Sequence, residues 1–243
     1  MAIGLNLPAQ QGSRTKGLRG KRIVQFGVGA NYAQPNLDGF NAVLDLYNRS
    51  PRVGGDGGNF ETAAAMIGPS AALSFYGNAG NKKLTRYLVE LGYRGRFQTF
   101  TAEAGLIVPE QKVRLQMHTL SLGGGTLLFQ SSVFDIGLGA SIDGGFLSTA
   151  YGQGEASPEN IQADLLIAGG VFLPLYLNLG KKSYWTLTLR PFYQYHLLKN
   201  DFNALNLRLN GPFLGEENPF ESAPHHFGLS LEISYLIKKD GIR

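Results

Sequence analysis

The chain has 243 residues, of which 43% are apolar and 33 are glycine, with no cysteine and a net charge of +4. The absence of cysteine excludes disulfides and thiolate metal sites, and a small, scattered positive charge does not support a nucleic-acid domain. The longest apolar run, the 13 residues Leu165 to Leu177, is interrupted by Gly169, Gly170 and Pro174, and a membrane-spanning helix needs roughly 20.

Taken in chain order, Met1 to Lys21 contains no apolar run of the 7–15 residues that form the core of a secretory signal. Residues 1–21 are expected to be a basic periplasmic lead-in carrying Arg14, Lys16, Arg19 and Lys21, with the signal peptide missing or truncated. A first strand is predicted over Arg22 to Ala33, where Val24, Phe26, Val28, Ala30 and Tyr32 alternate with Gln25, Gly27, Gly29 and Asn31. Period-two alternation gives a strand one apolar and one polar face. A long connection, Gln34 to Gly68, follows. Within it Phe40, Val43, Leu44 and Tyr47 recur at helical spacing behind Asp38, read as a cap, and predict a short amphipathic helix.

The second predicted strand, Pro69 to Gly77, ends at the polar turn Asn78 to Lys83. The third, Leu84 to Arg94, sets Tyr87, Val89, Leu91 and Tyr93 against Arg86, Glu90, Gly92 and Arg94. The fourth spans Val113 to Phe129, with a bulge expected at Gly123-Gly124-Gly125. The fifth, Val133 to Gly144, opposes Phe134, Ile136, Leu138, Ala140 and Ile142 to Asp135, Gly137, Gly139, Ser141 and Asp143. A loop from Gly145 to Asn160 leads into a sixth strand, Gln162 to Leu179, and a turn at Gly180 to Ser183 into a seventh, Tyr184 to Leu197. After a loop from Leu198 to His225, the closing strand Phe227 to Ile237 puts Phe227, Leu229, Leu231, Ile233, Tyr235 and Ile237 on one face and Gly228, Ser230, Glu232 and Ser234 on the other.

Connections that alternate long and short between strands of nine or more residues, each with one apolar face, are the pattern of an outer-membrane barrel. The predicted fold is all-β: a closed up-and-down antiparallel transmembrane barrel over 22–238, with eight strands, long extracellular loops and a periplasmic tail at 239–243. A strand at Thr99 to Val108 would raise the count to ten. Glycine at about twice its usual ~7% share suits tightly coiled strands around a narrow lumen.

The polar faces place Arg86, Glu90, Arg94, Asp135, Asp143, Arg190 and Glu232 inside the barrel. An eight-stranded barrel has an interior that side chains just fill, so these charges read as a salt-bridged network rather than a pore lining. Glu232 needs a basic partner, with Arg86, Arg94 and Arg190 as candidates. Function is expected on the loops, where Phe40, Tyr47, Phe202, Phe213 and Phe220 are candidate partner contacts. His225 and His226, adjacent on a strand, read as surface histidines rather than a chelating pair. Gly54 to Gly58 lacks the Lys-Ser/Thr of a phosphate loop and reads as a loop tip. No catalytic, cofactor-binding or metal site is identified, and with only His118, His196, His225 and His226 as imidazole bases none has a nucleophile at a telling spacing.

The succession Ala71 to Lys82 before Leu88 to Tyr93, together with Leu122 to Phe129, Phe134 to Gly144 and Phe227 to Ile233, resembles the TraO family of Bacteroidetes-type conjugative transposons over about Arg22 to Lys238. The resemblance implies a non-enzymatic accessory component of a DNA-transfer or secretion apparatus, in the outer membrane of a Gram-negative, Bacteroidetes-like bacterium. Its expected partners are membrane lipid and other proteins of an envelope complex, with no direct nucleic-acid contact, no small-molecule substrate and no cofactor. The alternative is a stand-alone small outer-membrane barrel for adhesion, surface protection or small-solute passage.

Overall fold

The computed structural model describes residues 23–50, 58–78, 86–105, 108–131, 133–179, 185–211 and 220–238. Its strands are β1 (Ile23–Pro35), β2 (Met66–Asn78), β3 (Arg86–Ala102), β4 (Gln111–Gln130), β5 (Phe134–Gln153), β6 (Glu159–Phe172), β7 (Leu175–Asn178), β8 (Trp185–His196), β9 (Asn200–Asp201), β10 (Glu221–Ser222) and β11 (His226–Lys238). Two helices, α1 (Asp38–Arg49) and α2 (Asn203–Leu209), lie in the first and last long connections.

Every pairing is antiparallel, and β11 pairs with both β8 and β1, so the sheet closes on itself. Closure leaves no sheet edge in lipid, where an unpaired backbone group costs several kcal/mol. Because β6 and β7 share one position in the ring, the barrel has eight walls. The expected single strand over Gln162 to Leu179 is broken at Leu173-Pro174, since proline has no N–H to give a neighbour. The Pro174 carbonyl accepts from Gly137 N–H at 2.9 Å, and Leu173 N–H donates to Pro191 O at 3.0 Å, which carries the wall across the break.

Several strands run longer than their alternation suggested. β3 reaches Ala102, so Thr99 onward continues the third wall and no ten-stranded barrel forms. β5 reaches Gln153, reducing the expected long loop at Gly145 to Asn160 to residues 154–158. The glycine run at Gly123 to Gly125 pairs in unbroken register, and the irregularity falls between Leu127 and Phe129. Gly123 needs no bulge because its small size serves another purpose. A Cβ at Gly139 would lie 2.3 Å from Phe172 Cζ, and one at Gly123 2.9 Å from Phe172 Cε1, so these glycines let the Phe172 ring lie close against the neighbouring β4–β5 wall.

The outward face is apolar from wall to wall. Val28, Leu91, Leu122, Ile142, Val171, Leu231 and Ile233 all project from it with about half or more of their surface exposed. Aromatic residues gather at both ends of this band. Toward the short turns, Trp185 packs on Tyr235 at 5.1 Å and Phe129 on Phe134 at 5.3 Å. Toward the loops, Tyr195 stacks on His225 at 4.2 Å, Tyr193 packs on Phe227 at 4.6 Å, and His118 lies between Tyr93 and Phe146. An apolar belt between two aromatic girdles is the surface a barrel presents to a bilayer. The ring is therefore a membrane-spanning barrel with its outer face in contact with lipid.

Candidate functional site: a charge-locked lumen beneath an apolar cap

The inward side chains form layers from the turn end to the loop end. Nearest the turns lie Tyr76, Leu88, Leu127 and Tyr176, the lower part of an apolar cluster that Phe172 and Phe192 extend upward, and Tyr76 Oη donates to Gln25 Oε1 at 2.8 Å.

Above it lies the charge network. Arg190 donates to Glu90 Oε2 at 2.6 Å and stands 3.6 Å from Glu232 Oε1. Ser74 Oγ donates to the same Glu90 oxygen at 3.0 Å. Arg94 pairs with Asp143 at 3.4 Å, and Ser141 Oγ donates to the other Asp143 oxygen at 2.8 Å. All five charged groups are almost wholly buried. Of the three candidates for Glu232, its partner is Arg190. The strands bring these groups together by register: Ser74 faces Glu90 across β2 and β3, and Glu232 faces Thr188, two residues from Arg190, across β11 and β8.

The other two predicted lumen charges are Asp135 and Arg86. Asp135 is half-buried near the turn end, where its carboxylate accepts Ser131 N–H at 3.2 Å. The Arg86 backbone pairs with Asn78, and its side chain lies outside the described residues. One lumen charge escaped the sequence reading. Arg96 is completely buried, and its Nε donates to Asn31 Oδ1 at 2.5 Å. Two residues beyond Arg94, it shares the same inward phase. Ending the third strand at Arg94 hid it. Among the described residues the fully buried charges are three carboxylates and three guanidinium groups, which sum to zero.

At the loop end the lumen turns apolar again. Met66, Phe100, Ala102, Val113, Leu115, Met117, Leu147 and Leu166 point inward from the barrel walls and meet Leu37, Phe40, Val43, Leu44, Tyr47, Phe60, Phe202, Leu205 and Phe220 in one buried core. This overturns the reading of Phe40, Tyr47, Phe202 and Phe220 as partner contacts, because each is less than 5% exposed. Their apolar character fills the barrel mouth. Phe40 packs on Phe100 at 5.1 Å and on Phe202 at 5.5 Å. Phe213 lies outside the described residues.

The cap has its own polar clamps. Asn41 exchanges both of its side-chain amide groups with the Ala63 backbone, at 2.8 and 3.1 Å, and Asn48 does the same with Phe60, at 2.9 and 3.0 Å. Two asparagines two helical turns apart thus pin the extended segment before β2 onto α1. Asp38 is the first helical residue rather than the cap. Its N–H donates to Asn36 Oδ1 at 3.0 Å.

His226 is also corrected. It is 1% exposed and points into the lumen, with its ring 5.2 Å from that of His196, while His225 faces outward against Tyr195. The pair do part to opposite faces, but only one of them reaches the surface.

At the loop end the cap has an open hollow of about 430 Å³, lined by Tyr47, Gln111, Tyr151, Gln153, Arg208 and Asn210 among others.

No protein-family model matches this chain, and no curated protein is similar to it in sequence. Solved structures that it resembles include Ail, the attachment invasion locus protein of Yersinia pestis, at 7% identity and a TM-score of 0.46, covering 89% of this chain and 99% of that one. Neisserial surface protein A matches at 12% identity and a TM-score of 0.40, covering 90% and 97%. The outer membrane protein AlkL matches at 13% identity and a TM-score of 0.35, covering 99% and 100%.

Proposed function

We propose that this chain is a stand-alone, non-conducting barrel of a Gram-negative outer membrane that holds a folded cap at the cell surface for adhesion or surface protection. One observation carries the reading: the lumen is filled by side chains layer upon layer. A charge network locks its middle and an 18-residue apolar core closes its outer mouth. Small-solute passage along the axis would need the Arg190–Glu90 and Arg94–Asp143 pairs to part and the cap to leave the mouth. Breaking a buried ion pair leaves an uncompensated charge, at a cost of about 3–5 kcal/mol. The polar hollow beside α1 and α2, rather than the lumen, is the surface left for recognition.

Planar-bilayer recording of the purified, refolded barrel tests this. The expected trace shows no conductance steps above the bare bilayer. Stable unitary steps would overturn the reading in favour of solute passage. Crosslinking in intact envelopes followed by mass spectrometry tests the other half. The barrel recovered without stoichiometric partners supports stand-alone action. Recovery within a multi-protein complex would favour the apparatus role that the TraO resemblance implies.

A further inference from the structure

Between the ion-paired layer and the apolar cap lies a set of polar groups that the charge network does not use. Arg96 is completely buried. Its Nε is taken by Asn31, its Nη1 points at Met117 Sδ at 3.2 Å, and its guanidinium lies 5.3 Å from the Phe192 ring centroid. Among the described residues its Nη2 has no hydrogen-bond partner. All three lumen carboxylates are engaged elsewhere, Glu90 and Glu232 by Arg190 and Asp143 by Arg94.

The same Phe192 ring contacts His226 at 5.8 Å, and His226 contacts His196 at 5.2 Å. Gln194 pairs in register with His226. All three are at most 2% exposed. Both ring nitrogens of His196, both amide atoms of Gln194 and Nε2 of His226 lack partners among the described residues. His226 Nδ1 lies 2.9 Å from Pro224 O, and because a carbonyl only accepts, Nδ1 donates, which leaves Nε2 an acceptor whenever the ring is neutral. Buried polar groups are satisfied by protein, water or an ion in native structures, and a buried charge requires compensation. Arg96 brings to this layer a cation that no carboxylate touches, together with several N–H groups that have no partner among the described residues.

We propose that this layer binds a small monovalent inorganic anion of the chloride class. The anion sits against Arg96 Nη2 and accepts from the His196 ring N–H and the Gln194 amide. Water bridges the remaining acceptors, Gln194 Oε1 and His226 Nε2, because an anion can only accept. Phe192 and Met117 wall the site, which favours a monatomic ion over an organic carboxylate. The site is independent of what the cap recognises, since it would stabilise the barrel whether or not the barrel conducts or assembles with other proteins.

Thermal unfolding of the full-length, detergent-refolded protein in sodium chloride, sodium bromide and sodium gluconate at matched ionic strength tests the proposal. A ligand that binds only the folded state raises Tm with its concentration. The expected result is a saturable rise in chloride and bromide and none in gluconate. Arg96→Gln should lose the rise, while Arg49→Gln, an exposed arginine at the end of α1, should keep it. Equal Tm values in chloride and gluconate, a rise that Arg96→Gln retains, or one that Arg49→Gln loses would each overturn the site. Should Arg96→Gln fail to fold, bromide-grown crystals of the unaltered protein decide the matter. An anomalous peak beside Arg96 supports the site, and its absence rejects it.

Discussion

Arg190 bridges two carboxylates, Glu90 and Glu232, from walls on either side of the lumen, and its guanidinium also lies 5.7 Å from the Phe172 ring. Each of the three groups was taken out of water when the barrel closed, and their mutual attraction, the Ser74 hydroxyl and the Phe172 ring offset that loss. Arg190→Met therefore leaves two carboxylates close together with no cation between them. Its expected effect is a loss of about 3–5 kcal/mol of stability, read by guanidinium unfolding in detergent micelles. Adding Glu90→Gln and Glu232→Gln to Arg190→Met should recover most of that loss, because a neutral, filled lumen needs no cation. If the single substitution is as stable as the parent, the network contributes nothing to the fold.

At the scale of the strand, the two faces of β11 make opposite demands. Leu231 faces lipid midway between the girdle residues Tyr235 and Phe227, and Ser230 beside it faces the lumen, fully buried. Leu231→Arg places a charge near the bilayer midplane, at a cost of about 2–4 kcal/mol. The expected outcome is a lower folded fraction when the denatured chain is diluted into lipid vesicles. Ser230→Ala removes a hydroxyl that has no partner among the described residues, and should fold to the same yield. Equal yields for both variants would mean that the belt is not in lipid. The helices obey a different rule. α1 is too short to persist alone, and its buried face of Phe40, Val43, Leu44 and Tyr47 is held by the tall walls β3 to β5, which run 17 to 20 residues against 12 or 13 for β1, β2, β8 and β11.

At the scale of the whole molecule, closure makes the barrel one cooperative unit, since opening any one seam exposes backbone to lipid on two strands. Unboiled protein in dodecyl sulfate should therefore run at a different mobility from boiled protein. A single band unaffected by heating, from protein that stays monodisperse without detergent, would contradict the membrane-spanning fold. The amino-acid sequence by itself determined the walls, their order and, for β1, β3, β5, β8 and β11, which face turns to lipid, because a strand's period of two writes inside and outside into adjacent residues. It placed Glu90, Arg94, Asp143, Arg190 and Glu232 in the lumen for the same reason. Only the tertiary structure decided which of these meet, that Arg96 and His226 join them, and that Phe40, Tyr47, Phe202 and Phe220 face inward. Those outcomes depend on register between distant strands and on loops folding back over the mouth, and local periodicity carries neither. An apolar side chain in a loop looks the same in sequence whether another protein or the chain's own barrel covers it.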